Sequence, residues 1–185
     1  KEINQLVLTN PIVVKIKPRE ENLDLIKQEA YYVLEENKGP LLRYIIKNQN
    51  IQQVLIFTSS KFKADNVAAK LRKHDIQATA IHSKKSQGAR TSALRKFKEG
   101  SLRVLVATDL LARGIDIEFL PFVINYELPR SPKDFIHRIG RTGRAESPGK
   151  AITFVSNEDE LHFKLIQKKI GKNIEAIDGD RLKLI

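Results

Sequence analysis

Cysteine, methionine and tryptophan are all missing from this 185-residue chain. Without cysteine, disulfides and thiolate metal sites are excluded, and the composition fits a cytosolic protein. The four histidines, His74, His82, His137 and His162, are not spaced like metal ligands, so no metal site is expected. A chain that starts at Lys1 and holds no methionine reads as a fragment cut from a longer protein. No apolar run reaches the length of a membrane span, and no signal peptide is visible. One further absence bears on chemistry. A phosphate-cradling loop of the form G-x-x-x-x-G-K-[ST] needs two glycines at a fixed spacing, and no pair of the nine glycines here has it.

Acids are scarce beside bases. The chain carries 33 lysines and arginines against 22 aspartates and glutamates, a formal charge of +11. That balance favours nucleic acid or another polyanion as partner, with a merely basic soluble surface as the plainer alternative. Short apolar runs alternate with amphipathic stretches. The runs at 11–16, 30–34, 53–57, 78–82, 103–108, 122–126 and 150–155 predict strands. The stretches 39–50, 60–75, 89–100, 131–140 and 157–170 predict helices, with Ser156 and Asp159 as a capping box before the last. Strand–helix alternation implies an α/β fold of three layers, a mainly parallel sheet flanked by helices. Residues from Gly171 onward are less regular.

In open parallel sheets ligands bind beyond the carboxyl ends of the strands. "TSSK" (58–61), "HSKKSQGAR" (82–90) and "TDLLARGID" (108–116) each follow a predicted strand. Gly114 allows close approach of the backbone, and Asp116 suits ribose hydroxyls, unless it forms a local salt bridge with Arg113. The 82–90 loop offers hydroxyl, amide and cationic groups suited to phosphate, or is a solvated basic loop; His82 fits equally a structural histidine at a strand end. "HRIGRTGR" (137–144) sets three arginines at steps of three, interrupted by Gly140 and Gly143. Glycines cost a helix about 1 kcal/mol each, so they point to a sharp turn or a close approach, and the arginines to a polydentate anion such as phosphate. To act with the other three, this stretch must reach the same end of the sheet.

Taken in order, these stretches resemble the C-terminal RecA-like domain of DEAD-box RNA helicases. "LIFTSSK" (55–61) is similar to motif IV, "QGARTSALRKFKEG" (87–100) to motif IVa, "ATDLLARGIDI" (107–117) to motif V and "HRIGRTGR" to motif VI. The resemblance runs from about Pro11 to Leu165 and divides the chain into an interdomain linker and entry strand (1–18), a helicase C-terminal RecA-like domain (19–170) and a C-terminal extension (171–185). It implies one half of an ATP-dependent RNA helicase, inactive and monomeric as a fragment, that unwinds RNA duplexes or remodels RNA–protein particles together with an N-terminal RecA-like domain. That missing domain would hold most of the ATP and its Mg2+.

The resemblance also implies roles for single residues. Arg144 becomes the arginine finger on the γ-phosphate, Arg141 a phosphate contact or a residue that orients its neighbours, and His137 the link to the acidic box of the other domain. Arg138 is left with a structural or rim role. Asp116 and Gly114 meet the ribose. RNA runs along Ser60, His82, Ser83, Gln87, Arg90 and Thr108, chiefly through its phosphate backbone, with little base specificity. Ser83 departs from the glycine usual in the family. A cytoplasmic location is expected, or a nuclear one in a eukaryote, with no membrane partner. Two other readings compete: an ATP-independent RNA-binding or scaffold module, and a DNA-directed helicase of the same superfamily.

Overall fold

The computed structural model describes residues 23–112, 117–143 and 148–182. The predicted strand at 11–16 lies outside them. Seven strands form one sheet: β1 (Ile26–Tyr32), β2 (Val54–Thr58), β3 (Ala78–Ile81), β4 (Val104–Thr108), β5 (Phe122–Asn125), β6 (Gly149–Val155) and β7 (Glu175–Asp178). Their spatial order is β3-β4-β2-β5-β6-β1-β7, and every pairing is parallel. Six helices connect them: α1 (Lys38–Asn48), α2 (Lys61–Arg72), α3 (Gln87–Lys98), the short α4 (Asp109–Ala112), α5 (Pro132–Ile139) and α6 (Glu160–Ile170).

The central strands are apolar on both faces because both faces are covered. All five residues of β2 are buried, as expected of parallel strands with helices above and below. One face packs Val54, Ile56, Val104, Val106, Ile124 and Ile152 against α1 and α2. The other packs Leu55, Phe57, Leu105 and Val123 against α3, and Ala30, Ala151 and Val155 against α5 and α6. Three serines start helices by accepting a backbone N–H: Ser60 from Lys63 at 3.1 Å, Ser86 from Ala89 at 3.2 Å and Ser131 from Asp134 at 3.1 Å. The Ser156 hydroxyl behaves differently from the expected capping box. It donates to the Asp159 carboxylate at 2.7 Å, and a 3-10 turn at Asn157–Asp159 precedes α6.

Residues beyond Gly171 add β7, paired with β1 at the sheet edge. Gly171 ends α6 in the left-handed conformation, φ 66°.

Candidate functional site

Three of the four singled-out stretches meet at one end of the sheet. β3, β4 and β2 are consecutive in space, and register pairs Thr58 with Thr108 and Ile81 with Ala107. Ser60, the 82–87 loop and Thr108 therefore leave neighbouring strand tops, each pair of strands about 4.8 Å apart. The turn after β2 is tightly held. The Thr58 hydroxyl donates to the Ser60 carbonyl at 3.3 Å, and the Ser59 N–H donates to Glu127 Oε2 at 2.7 Å. Ser60, Ser83 and Gln87 are exposed, and Arg90 and Thr108 are half-buried. Arg90 Nε is buried without a hydrogen-bond partner.

His82 stands apart from this exposed row. It is only 2% exposed, and its Nε2 lies 2.9 Å from Asp65 Oδ2 on α2. Lys85 Nζ takes the other oxygen of Asp65 at 2.8 Å. Burial opposes ionisation of Asp65, but hydrogen bonds from Lys85 and His82, with their charge, outweigh it and hold the carboxyl below its ordinary value. One carboxylate thus clamps the loop to α2 at two points. The His82 ring is buried and turned to Asp65, the arrangement of a structural histidine at a strand end. Asp65 is a positioning residue that the motifs do not mark. Its signal was a lone acid in the basic stretch "KFKADNVAAKLRK".

"HRIGRTGR" reaches that end only in part, through Arg138. α5 starts near the strand tops and runs antiparallel to the strands. By Thr142 the chain has reached the opposite end of the strands. Thr142 bridges Leu120, just before β5, and donates its hydroxyl to the Leu120 carbonyl. Gly143 has φ +82°, and a Cβ there would stand 3.0 Å from Ile26 Cγ1 at the start of β1. The glycine is required by this turn and this approach. Gly140 needs no such conformation, since it caps α5 in the right-handed region, φ −65°. Arg138 stays at the strand-top end, bonded to Asp109 and Glu127, while Thr142 and Gly143 lie at the starts of β5 and β1, because parallel β5 and β6 require the connecting chain to return to the strand starts.

Along that flank the arginines differ. Arg138 is buried, 2% exposed, and spends its guanidinium inside the protein. Nε and Nη2 grip Asp109 Oδ1 and Oδ2 at 2.5 and 2.7 Å; Nη1 donates to the Glu127 carbonyl at 2.6 Å and to Asn125 Oδ1 at 3.2 Å. The group lies 5.0 Å from the centre of the Phe57 ring. Asn125 in turn donates to Thr153 Oγ1 at 3.1 Å. This network ties α4, β5, β6 and α5 together. His137 on the outer side of α5 is exposed, and Arg141 is half-buried with Nη1 3.4 Å from the Ile117 carbonyl. Gly114, Asp116 and Arg144 lie outside the described residues. Among the described residues no group of three His, Asp or Glu side chains could hold a metal ion, and no helix is long and apolar enough to cross a membrane.

A parallel seven-stranded sheet between two helical layers is the RecA-like α/β architecture. Residues 37–146 match the helicase conserved C-terminal domain. The chain belongs to that family and, within it, to the DEAD-box C-terminal domains. It is 36% identical to the ATP-dependent RNA helicase eIF4A of Saccharomyces cerevisiae over 100% of its own length and 47% of that protein. The C-terminal domain of the DEAD-box protein Dbp5 superposes with a TM-score of 0.80 at 33% identity, covering 86% of this chain and 93% of that one. S. cerevisiae Dbp5 bound to RNA and ADP BeF3 gives 0.78 at 31% identity, over 97% and 48%. The chain spans between a third and a half of the length of curated relatives such as these.

Proposed function

We propose that this chain is the second half of an ATP-driven RNA helicase, and that it works through two separate surfaces. The observation that carries the reading is the division of labour among the arginines: Arg138 is consumed in the core, while His137 and Arg141 are carried on the flank that leads to Arg144. The strand tops bearing Ser60, Ser83, Gln87, Arg90 and Thr108 form the RNA surface, and contacts there are mainly to phosphate. The α5 flank faces a nucleotide held chiefly by an N-terminal RecA-like domain, together with its Mg2+. Asp116 and Gly114 serve the ribose. Arg141 and Arg144 offset charge on the γ-phosphoryl group as it transfers, an effect worth roughly 10³–10⁵ in rate for such fingers. His137 couples the two domains. The resemblance to Dbp5 bound to RNA and ADP BeF3 supports both surfaces.

Asp109 joins the surfaces physically. It follows Thr108 on the RNA side and is gripped by Arg138 one residue from His137. A change at either surface is thus transmitted through a short, buried ion pair. The test is steady-state ATP hydrolysis by the two-domain protein with saturating RNA. Arg144→Ala lowers kcat by roughly 10² or more, with a smaller effect on nucleotide affinity because the other domain supplies most ground-state binding. A near-normal kcat leaves an RNA-binding or scaffold module instead.

A further inference from the structure

Among the described residues six large apolar side chains are substantially exposed, and two of them follow adjacent strands at the RNA end of the sheet. Phe62 is 80% exposed and Leu110 75%. β2 and β4 are neighbours with Thr58 opposite Thr108; Phe62 comes four residues after the one, and Leu110 two after the other. The surroundings are cationic. Lys61 precedes Phe62. Asp65, one helical turn further along the same face of α2, holds Lys85 at 2.8 Å and fastens the loop that carries Lys84. An exposed phenyl ring beyond β2 and an exposed leucine beyond β4, on a surface that also carries Lys61, Lys84 and Lys85, are unlike a solvated basic surface.

We propose that Phe62, with Leu110 beyond the neighbouring strand, is a platform on which an unpaired RNA base stacks. This rests on the RNA reading above and goes beyond it, because that reading assigns chiefly phosphate contacts to this surface and no base contact to Phe62 or Leu110. Single-stranded nucleic acid is held elsewhere by this combination: a cationic groove for the backbone and an aromatic face for the bases, which accepts any base because every base has a π-face. The lysines supply the charge complementarity and the ring supplies the face. Leu110 offers an apolar edge. The occupant is a base of single-stranded RNA, since a duplex keeps its bases stacked on each other and out of reach.

The experiment compares two oligomers on the full 185-residue chain at low salt: a single-stranded RNA, and an abasic analogue with the same sugar-phosphate backbone. Phe62→Ala weakens binding of the base-bearing oligomer roughly tenfold, within the usual worth of one stacked base, and leaves the abasic one unchanged. Phe62→Trp restores the affinity. A 2-aminopurine in the oligomer is quenched by the unsubstituted chain and not by Phe62→Ala. The salt slope of Phe62→Ala stays that of the parent, because no phosphate contact is lost. Equal affinities of Phe62→Ala and parent for base-bearing RNA overturn the proposal, and so does an equal loss for both oligomers. If the unsubstituted chain binds neither oligomer, the RNA reading itself fails. A Phe62→Ala defect confined to association with a protein partner assigns the pair to that partner and overturns the platform.

Discussion

Asp65 shows how much one side chain decides at this surface. Asp65→Ala releases both His82 and Lys85 from α2, leaving a buried imidazole with neither ring nitrogen partnered, since Nδ1 already lacks a partner. An unsatisfied buried polar group costs about 1–3 kcal/mol. Amide hydrogen exchange over residues 82–87 is expected to accelerate in Asp65→Ala, and RNA affinity to fall, although Asp65 touches no phosphate. Asp65→Asn, which keeps an acceptor, should retain part of the protection. The pH sign follows from a carboxyl held below its ordinary 3.8. The clamp is fully present above pH 3.8 and is lost as pH falls below it. Exchange in the loop measured down the acid range checks this.

Among the elements, β1 carries its own pH window. Glu29, 6% exposed, meets Lys150 of β6 at 2.8 Å and Lys27 at 3.3 Å, and Tyr31 donates to it at 3.3 Å. Burial works against the charged carboxylate, yet the two lysines together hold Glu29 below its ordinary 4.5. Burial and the nearby Glu29 charge push Tyr31 from 10.0 up to about 12. Glu29 therefore stabilises the fold above pH 4.5 and ceases to as pH falls. Tyr31 contributes below pH 10 and ceases to as pH rises towards 12. Glu29→Gln is expected to flatten the acid limb of a thermal-melt profile and leave the alkaline limb in place.

α5 depends on the fit of its ends. Arg138→Ala strands Asp109 and Asn125 and should cost on the order of 3 kcal/mol in denaturant unfolding. Arg138→Lys recovers little, because an ammonium lacks the planar fork that meets both Asp109 oxygens. Gly149→Ala is expected to disturb the same region from the other side. A Cβ there would lie 1.9 Å from Thr142 Oγ1 and 2.3 Å from the Gly143 nitrogen. The turn that leads to Arg144 must shift, so in the two-domain protein kcat should fall with the melting temperature.

Across the whole molecule, charge and topology act together. The formal charge of +11 predicts RNA binding that weakens steeply with salt and hardly varies with sequence. Arg90→Ala should lower affinity uniformly and shallow the salt slope by about 1. The chain on its own should hydrolyse no ATP above background, because the phosphate-cradling loop is missing; RNA-stimulated turnover by the pure chain would count against the two-surface reading.

Local pattern was enough to place most of the sheet and its helices. β2, β4 and β6 announce themselves as apolar runs because a parallel strand buried on both faces must be apolar throughout. The Gly100 and Gly171 stops are equally local, since only a left-handed residue closes a helix that way. The ordered motifs, too, are a property of the linear chain. β7 was not legible: "EAID" has three exposed residues and one half-buried, and only the backbone edge of β1 makes it a strand. A structural role for His82 and for Arg138 was legible, but not what either bonds, each being a charged or polar residue in a basic stretch. Their partners, Asp65 and Asp109, lie 17 and 29 residues away, and no period in the sequence encodes such a distance. Residue chemistry and element type followed from neighbours within a helical turn or a strand repeat. Which end of the strands the close of "HRIGRTGR" reaches, and which groups Arg138 bonds in the core, came only from packing, because strand order and helix direction are set by contacts between distant parts of the chain.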